Sequence, residues 1–433
     1  MSGIFGIVSK EDCIDDLFLG THYLQHRAQD FCGLAIRDEK NLKNYTHKGL
    51  LKHQFTREDL ENIKGNYAIG CVSSERQPVS ELSRCGGMIL GYDGNLINYE
   101  ELKNNLLKER VSFSGYHNPE EISDAVLISK IISKEINFEK GIEKLVESMQ
   151  GDFSIVSLTG DGIYATRGWG RKPLILGKKD GSYAVSSESN SFINIHFKIL
   201  KDVEPGEIVL LNNEGIHTIN KLNLSPIRFG TFEWIYTAYP TSIIDGKSVK
   251  KIRKKIGRNL AKRYPVNADI VSPVPNSGRW HAKGFSEESG IDYDEVFSRY
   301  DYSDRSYTPG EQYLRDLEAE TKLIPDEDSI NGKRIILVDD SIVRGTQMLN
   351  RVLALKELGA KEVHVRIACP PLMAACKYGQ TTKKDEDCLA RRMPVREIQE
   401  KLKLDSLEYA TIEDLEEAIG FSRDKLCLDC WGF

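Results

Sequence analysis

Hydrophobic residues in the first half of the chain come in short runs that are closed by glycine or by Asn/Asp turns. This rhythm predicts antiparallel strands, because half-buried strands are short and are bounded by turn-forming residues. The predicted strands cover residues 3–8, 67–72, 87–91, 153–158, 163–166, 183–187 and 207–211. Residues 13–25 and 124–136 instead space their apolar side chains three and four apart, which predicts helices. We therefore expect residues 1–225 to form one domain in which helices cover sheets.

From about residue 226 the pattern changes to an alternation of strand, helix and strand. The predicted strands cover residues 268–274, 334–338 and 362–368. Residues 347–358 read as a helix that ends at Gly359. Such alternation is typical of a parallel sheet with its ligand site at the carboxyl ends of the strands. We expect residues 226–433 to form this second domain, with a helix over 247–264 packed across its sheet.

The composition is that of a globular protein without membrane spans. The chain has 433 residues, and no apolar run approaches the roughly 20 residues that a membrane helix needs. The N-terminus lacks the basic start and the unbroken apolar stretch of a signal peptide, so we expect a cytoplasmic location. The net charge of -6 argues against a nucleic-acid partner, because proteins that bind phosphate backbones usually carry a basic excess.

The most specific signal is residues 334–346, Arg-Ile-Ile-Leu-Val-Asp-Asp-Ser-Ile-Val-Arg-Gly-Thr. Here a buried strand runs into two carboxylates and then into a turn that opens a helix. Asp339 and Asp340 can accept hydrogen bonds from ribose hydroxyls, directly or through Mg²⁺. The amides that follow can surround a phosphate at the positive end of the helix. These amides belong to Ser341, Ile342, Val343, Arg344, Gly345 and Thr346.

This segment resembles the donor-binding signature of type I phosphoribosyltransferases, which bind 5-phosphoribosyl-1-pyrophosphate. A second loop, residues 271–278, is similar to the pyrophosphate loop of the glutamine phosphoribosylpyrophosphate amidotransferases. Further segments of that family occur in the same order at residues 25–30, 91–95, 202–207, 232–236 and 244–246. The resemblance covers nearly the whole chain. It implies an α+β N-terminal domain of the Ntn-hydrolase type, an αββα sandwich, followed by an α/β type I phosphoribosyltransferase domain.

The resemblance also implies roles for the second loop. The amides of Asn276, Ser277 and Gly278 and the hydroxyl of Ser277 would meet the leaving pyrophosphate. Ser277 would share the Mg²⁺ with Asp339 and Asp340. Read without the family, the same loop could be a proline-stiffened turn.

The family's flexible flag loop is altered in this chain. Arg299 and Arg305 align with two of its cations, whereas Asp301 replaces one that is aimed at the pyrophosphate. The diphosphate of the donor would therefore be held by fewer cations, which predicts weaker binding or a less charged donor.

The glutaminase site departs further from the family. Ser2 stands in place of the cysteine nucleophile, whose own α-amino group acts as the base. Residues 70–74, Gly-Cys-Val-Ser-Ser, lack the arginine that grips the glutamine carboxylate. Asp93 and Gly94 replace an Asn-Gly oxyanion pair, which puts a carboxylate where negative charge develops. Asp124 matches the residue that holds the substrate amino group, but we expect glutamine hydrolysis to be lost.

Three cysteines near the C-terminus match positions that bind a [4Fe–4S] cluster in some members of the family. They are Cys376 and the CxxC pair Cys427 and Cys430. The fourth ligand is open, with Cys369 and Cys388 as candidates. Thiolates suit an iron–sulfur cluster and structural zinc alike, so zinc remains the alternative.

The sequence thus predicts a phosphoribosyltransferase that joins ammonia or a small amine to the donor with the help of Mg²⁺ and releases pyrophosphate. The resemblance implies a homodimer or homotetramer, and the loss of glutamine hydrolysis leaves room for a separate protein that supplies ammonia. Two alternatives stay open. One is a related enzyme with a different acceptor in a specialised pathway, and the other is a non-enzymatic sensor of phosphoribosyl compounds or nucleotides.

Overall fold

The apolar run at the N-terminus forms a strand that is buried along its whole length in the computed structural model of the protein. The structure describes residues 1–38, 41–84, 86–113, 122–300, 323–379, 382 and 384–433. The chain folds into two units. The first contains Met1–Gly230, Thr241–Gly246 and Lys377–Gly379, and the second contains Thr231–Pro240, Lys247–Cys376 and Gln380–Phe433.

The first unit is built on two antiparallel sheets. Its strands are β1 (Ser2–Val8), β2 (Phe31–Asp38), β3 (Asn41–Lys48), β4 (Tyr67–Ser73), β5 (Val79–Ser83), β6 (Gly86–Leu96), β7 (Gly151–Thr159), β8 (Ile163–Arg167), β9 (Ile175–Lys179), β10 (Ser182–Ser186), β11 (Lys198–Asp202), β12 (Glu207–Asn212), β13 (Gly215–Lys221) and β14 (Ile243–Ile244). One sheet has the order β11-β9-β10-β1-β4-β2-β3, and the other has the order β13-β12-β8-β7-β6-β5.

The helices of the first unit cover these sheets. They are α1 (Ile14–His22), α2 (Leu51–Gln54), α3 (Arg57–Glu61), α4 (Tyr99–Lys108), α5 (Asp124–Ser133), α6 (Phe138–Ser148) and α7 (Asn190–Ile193). The two sheets pack face to face through a core that includes Ile4 and Val156. On the other face of β1, Phe5 lies against Gly20 of α1. Because β1 is covered on both faces, its side chains after Ser2 are apolar without alternation.

The second unit contains a parallel sheet ordered β17-β16-β20-β21-β22. The strands of the second unit, inside and outside this sheet, are β15 (Lys247–Ser248), β16 (Ile270–Pro273), β17 (Asp292–Tyr293), β18 (Phe297–Arg299), β19 (Leu323–Pro325), β20 (Arg334–Asp339), β21 (Glu362–Ile367) and β22 (Ser406–Tyr409). Its helices are α8 (Val249–Arg263), α9 (Arg279–Ser289), α10 (Glu327–Ile330), α11 (Thr346–Glu357), α12 (Leu389–Arg392), α13 (Val395–Lys401) and α14 (Ile412–Ile419). Short helical turns cover Glu233–Thr237, Asp385–Asp387, Arg423–Lys425 and Asp429–Trp431.

The predicted strands and helices are confirmed, with ends that shift by a few residues. The expected position of α8 is wrong, because this helix packs mainly on α9 and α14 rather than across the sheet. Two glycines explain the close packing of α8 on α9. A Cβ at Gly257 would lie 1.9 Å from the carbonyl oxygen of His281, and one at Gly284 would lie 2.0 Å from that of Lys254. Among the described residues, no helix has the length and apolar character that crossing a membrane requires.

Candidate functional site

Two loops of the second unit leave the same edge of its parallel sheet. Strands β16 and β20 are parallel neighbours, with Pro273 opposite Val338, so the loops that follow them start side by side. The Ser277 hydroxyl consequently donates a hydrogen bond to Asp339 Oδ1 at 3.1 Å. A Cβ at Gly278 would lie 2.1 Å from the Val338 carbonyl oxygen, so only glycine allows this approach. The two loops singled out from the sequence therefore meet in the fold.

Asp339 and Asp340 form a buried carboxylate pair at the end of β20. Each is 6% exposed. Asp339 accepts the Asp340 amide at 2.9 Å, and Arg351 lies 3.5 Å from its other oxygen. Burial, and then the neighbouring charge of Asp340, raise the pKa of Asp339 well above its ordinary value. Two carboxylates and the Ser277 hydroxyl are hard oxygen donors, which fit the ligand preference of Mg²⁺.

The amides beyond this pair are available for a ligand. The backbone N–H groups of residues 341–346 have no hydrogen-bond acceptor within the described part of the chain. Gly345 has a positive φ of 83° and precedes Thr346, the first residue of α11. Successive amides at a helix N-terminus bind anions, because the helix dipole and the free N–H groups both favour negative charge. The geometry therefore suits a phosphate group.

Not all the expected amides of the second loop are free. The Gly278 amide donates to the Val274 carbonyl at 2.9 Å, so it is engaged within the loop, and its contact with pyrophosphate stays a prediction. The amides of Asn276 and Ser277 find no acceptor among the residues that the structure describes. Arg299 ends β18 as an exposed residue. The other expected flag-loop residues, Asp301 and Arg305, lie outside the described residues.

Ser2 of the first unit lies in a buried cluster of charges. Its backbone amide donates to Asp93 Oδ1 at 2.8 Å. Arg27 donates to Asp93 at 3.0 Å and to Glu188 at 2.7 Å, and Lys172 lies 3.6 Å from Asp93. All four charged side chains are at most 1% exposed. Burial alone would raise the pKa of Asp93, but Lys172, Arg27, the N-terminal ammonium and the Ser2 amide together outweigh it and lower that pKa.

The Ser2 hydroxyl contacts other hydroxyl and amide groups. It shares a hydrogen bond of 3.0 Å with Ser73. The Gln77 side chain lies 3.5 Å from the same oxygen. A serine hydroxyl needs an adjacent base to become a nucleophile, and neither the Ser73 hydroxyl nor the Gln77 amide can act as a base.

Asp124 stands at the start of α5. Its carboxylate accepts the Leu96 amide at 2.8 Å and the Tyr92 hydroxyl at 3.5 Å. Gly94 lies between these two residues, where a Cβ would meet the Asp152 carbonyl oxygen at 2.2 Å. Burial raises the pKa of Asp124 to about 6.

The raised pKa of Asp124 predicts a pH-dependent stability. The folded chain binds this proton more tightly than the unfolded chain, so the stabilisation is full below pH 3.8 and is lost as the pH rises through about 6. We therefore compare the free energy of unfolding of Asp124→Asn with that of wild type. The difference should shift in favour of the variant by on the order of 3 kcal/mol from pH 4 to pH 7. Urea unfolding at both pH values measures this gain. Asp161→Asn, an exposed control, should show none, and equal behaviour of the two variants would contradict the assignment.

The C-terminal thiols lie partly together. Burial, and then the neighbouring thiols Cys427, Cys376 and Cys369, raise the pKa of Cys430 above its ordinary range. Cys388 instead has charged neighbours from its own segment. Of the two candidate fourth ligands, Cys369 is thus the one near Cys430. Within the described ranges, no three His, Cys, Asp or Glu side chains are arranged to hold a metal ion.

Sequence reasoning missed three members of the charge cluster around Ser2. Arg27, Lys172 and Glu188 are buried charges, yet they are far apart along the chain. Arg27 lies within residues 25–30, one of the segments that carry the resemblance, which was the only available signal for it.

Known proteins resemble this chain along nearly its whole length. A family model described as a glutamine amidotransferase domain matches residues 51–194. The amidophosphoribosyltransferase of Methanocaldococcus jannaschii is 36% identical over 457 aligned positions, which cover 99% of this chain and 96% of the relative. That of Archaeoglobus fulgidus is 35% identical, with 94% and 91% covered. The chain belongs to the amidophosphoribosyltransferase family.

A solved structure of the amidophosphoribosyltransferase family agrees with this result. The glutamine phosphoribosylpyrophosphate amidotransferase of B. subtilis, complexed with ADP and GMP, superposes with a TM-score of 0.90 at 31% identity. The match covers 99% of this chain and 96% of that one. The expected Ntn-type and phosphoribosyltransferase folds and the expected phosphoribosyltransferase class of enzyme are confirmed.

Proposed function

We propose that this protein transfers the phosphoribosyl group of 5-phosphoribosyl-1-pyrophosphate to ammonia, in the type of reaction that begins purine biosynthesis. The bond from C1 to the pyrophosphate oxygen breaks, a bond from C1 to nitrogen forms, and the nitrogen loses a proton to solvent. The observation that carries this proposal is the run of amides at residues 341–346 without a described acceptor, directly after the Asp339–Asp340 pair.

The residues of the two loops would divide the work. The amides of residues 341–346 would hold the 5-phosphate, and Asp339 and Asp340 would orient the ribose hydroxyls. Asn276 and Ser277 would contact the pyrophosphate. Asp339, Asp340 and Ser277 would hold Mg²⁺, which supplies positive charge to the leaving pyrophosphate when it is bound.

We propose further that the first unit has lost glutamine hydrolysis. An Ntn-type nucleophile needs a neutral α-amino group as its base. If Met1 were removed, the Ser2 nitrogen would become an ammonium 2.8 Å from the Asp93 carboxylate. A carboxylate at that distance stabilises the charged amine, which then cannot accept a proton from the hydroxyl.

The surroundings of Ser2 support the same conclusion. Asp93 is held by Arg27 and Lys172 and offers a negative charge where the oxyanion of an amide hydrolase needs a hydrogen-bond donor. Ser73 stands where the family has a cation for the glutamine carboxylate. The positive and negative side chains of the cluster balance one another, as expected for a cluster that stabilises the fold.

The nitrogen source tests both proposals in one assay. With saturating donor and Mg²⁺, ammonium should support pyrophosphate release. With glutamine at the same concentration, the rate of release should be at least ~100-fold lower, because the loss of one oxyanion donor alone slows such a reaction by about that factor. Equal rates with the two sources would contradict the loss of glutaminase. Asp93→Asn is the matched variant, and it should not restore use of glutamine because Ser73 still provides no cation.

We also propose that the C-terminal thiols would hold a [4Fe–4S] cluster or zinc through Cys376, Cys427 and Cys430, with Cys369 as the fourth ligand, although binding would require these thiols to lie closer together than they do in the structure. Cys369 lies near Cys430, which supports it over Cys388 as the fourth ligand. Metal and sulfide analysis of protein purified without oxygen distinguishes the two groups.

We expect a homo-oligomer, which light scattering of the purified protein would measure.

A further inference from the structure

The phosphate loop, residues 341–346, is held from one side by a distant segment, residues 385–389. Arg344 Nε donates to Asp387 Oδ1 at 3.0 Å and its Nη2 donates to Oδ2 at 2.9 Å. The Leu389 amide donates to the Val343 carbonyl at 2.8 Å. The side chain of Arg344 is therefore engaged in a two-bond ion pair, which fixes its orientation.

The same segment also packs on the loop. A Cβ at Gly345 would lie 2.8 Å from Leu389 Cδ2, so the leucine side chain fills the space beside the glycine. Three consecutive loop residues, Val343 to Gly345, thus contact residues 387–389. The far end of the segment is anchored as well, since Asp385 accepts the Ala375 amide at 2.9 Å and pairs with Arg391.

We propose that Asp387 is a positioning residue for the phosphate loop. By holding Arg344, it keeps the amides of residues 341–346 in the arrangement that receives the phosphate. This inference rests on the proposed function, because it takes the loop to be the donor site. Asp387 would not touch the donor, and its effect would pass through Arg344.

Electrostatics alone predicts the opposite effect. Removing a negative charge near a bound phosphate, and freeing an arginine beside it, should strengthen the binding of an anion. If Asp387 acts by positioning, its removal should weaken that binding. The sign of the change therefore separates the two explanations. Glu386 is a suitable control, because it is exposed, adjacent in sequence and lines the same cavity of about 320 Å³ as Asp387.

The experiment compares Asp387→Ala with Glu386→Ala in the full chain. Calorimetric titration with ribose 5-phosphate and with the pyrophosphorylated donor should give a dissociation constant about fivefold higher for Asp387→Ala, near the upper limit for an exposed ion pair. Glu386→Ala should bind as wild type or slightly more tightly. Donor KM should rise with Asp387→Ala while kcat at saturating donor stays within about twofold, and Asp387→Glu should recover most of the affinity.

A double variant completes the test. If Arg344 acts only through the pair, Asp387→Ala with Arg344→Ala should bind no worse than either single variant. Unchanged or tighter binding by Asp387→Ala would overturn the inference while leaving the proposed function intact. If the unmodified protein bound neither compound, the proposed function would fail, and this inference with it.

Discussion

Asp339→Asn is expected to slow pyrophosphate release by about 10²–10³-fold, the usual effect of removing one group that stabilises developing charge. The substitution keeps the shape of the side chain and its hydrogen bond with Ser277. It removes the charge that would orient the ribose or hold Mg²⁺. The loss should appear in kcat with ammonium as the acceptor.

The same variant should be at least as stable as wild type at neutral pH. Burial and Asp340 raise the pKa of Asp339, so the folded chain favours the protonated form and is destabilised as the pH rises above the ordinary range of an aspartate. Asparagine removes that cost. Thermal unfolding at pH 7 measures the difference, and Asp328→Asn, an exposed substitution, is the control for both assays. Full activity or a marked loss of stability in Asp339→Asn would contradict this assignment.

Arg27→Ala is expected to destabilise the first unit by about 3–5 kcal/mol, because it leaves buried carboxylates without their partner. Arg27 is fully buried and bonds Asp93, Glu188 and the Ser2 carbonyl. Lys172 would remain, but it lies 3.6 Å from Asp93 and cannot replace a guanidinium that bonds several acceptors at once. Urea unfolding followed by a probe in the first unit measures the loss.

Two further variants test whether charge balance is the cause. Arg27→Met with Glu188→Gln removes one charge of each sign, so it should recover a large part of the stability that Arg27→Ala loses. Arg57→Ala removes an arginine whose side chain is 93% exposed, and it should change stability by less than about 0.5 kcal/mol. A loss below about 1 kcal/mol for Arg27→Ala would show that the cluster does not hold the unit together.

Strand β1, at the centre of its sheet, could be predicted from the sequence, whereas β3, at the edge of the same sheet, could not. Strand β1 is covered on both faces and carries no polar side chain after Ser2, so its pattern is clear. Strand β3 (Asn41–Lys48) lies at the edge of the same sheet and is largely polar. Solvent on an edge strand favours polar and charged residues, which removes the signal that a strand prediction needs.

The local structure of residues 334–346 was also predictable, because its sequence signal is local. A strand, two carboxylates and a helix start follow one another within residues 334–346. The cluster around Ser2 was not, since Arg27 is 66 positions from Asp93 and 161 positions from Glu188. Similarly, the sequence left Cys369 and Cys388 equivalent, and only the fold places Cys369 near Cys430. Contacts between distant segments decide such sites, and no local pattern reports them.

A crystal structure with ribose 5-phosphate tests the central claim most directly, because the compound carries the phosphate but cannot react. We expect its phosphate oxygens about 3 Å from the amide nitrogens of residues 341–346, with the ribose hydroxyls beside Asp339 and Asp340. Crystals in which that loop stays empty at millimolar ligand, or in which the phosphate binds elsewhere, would contradict the claim.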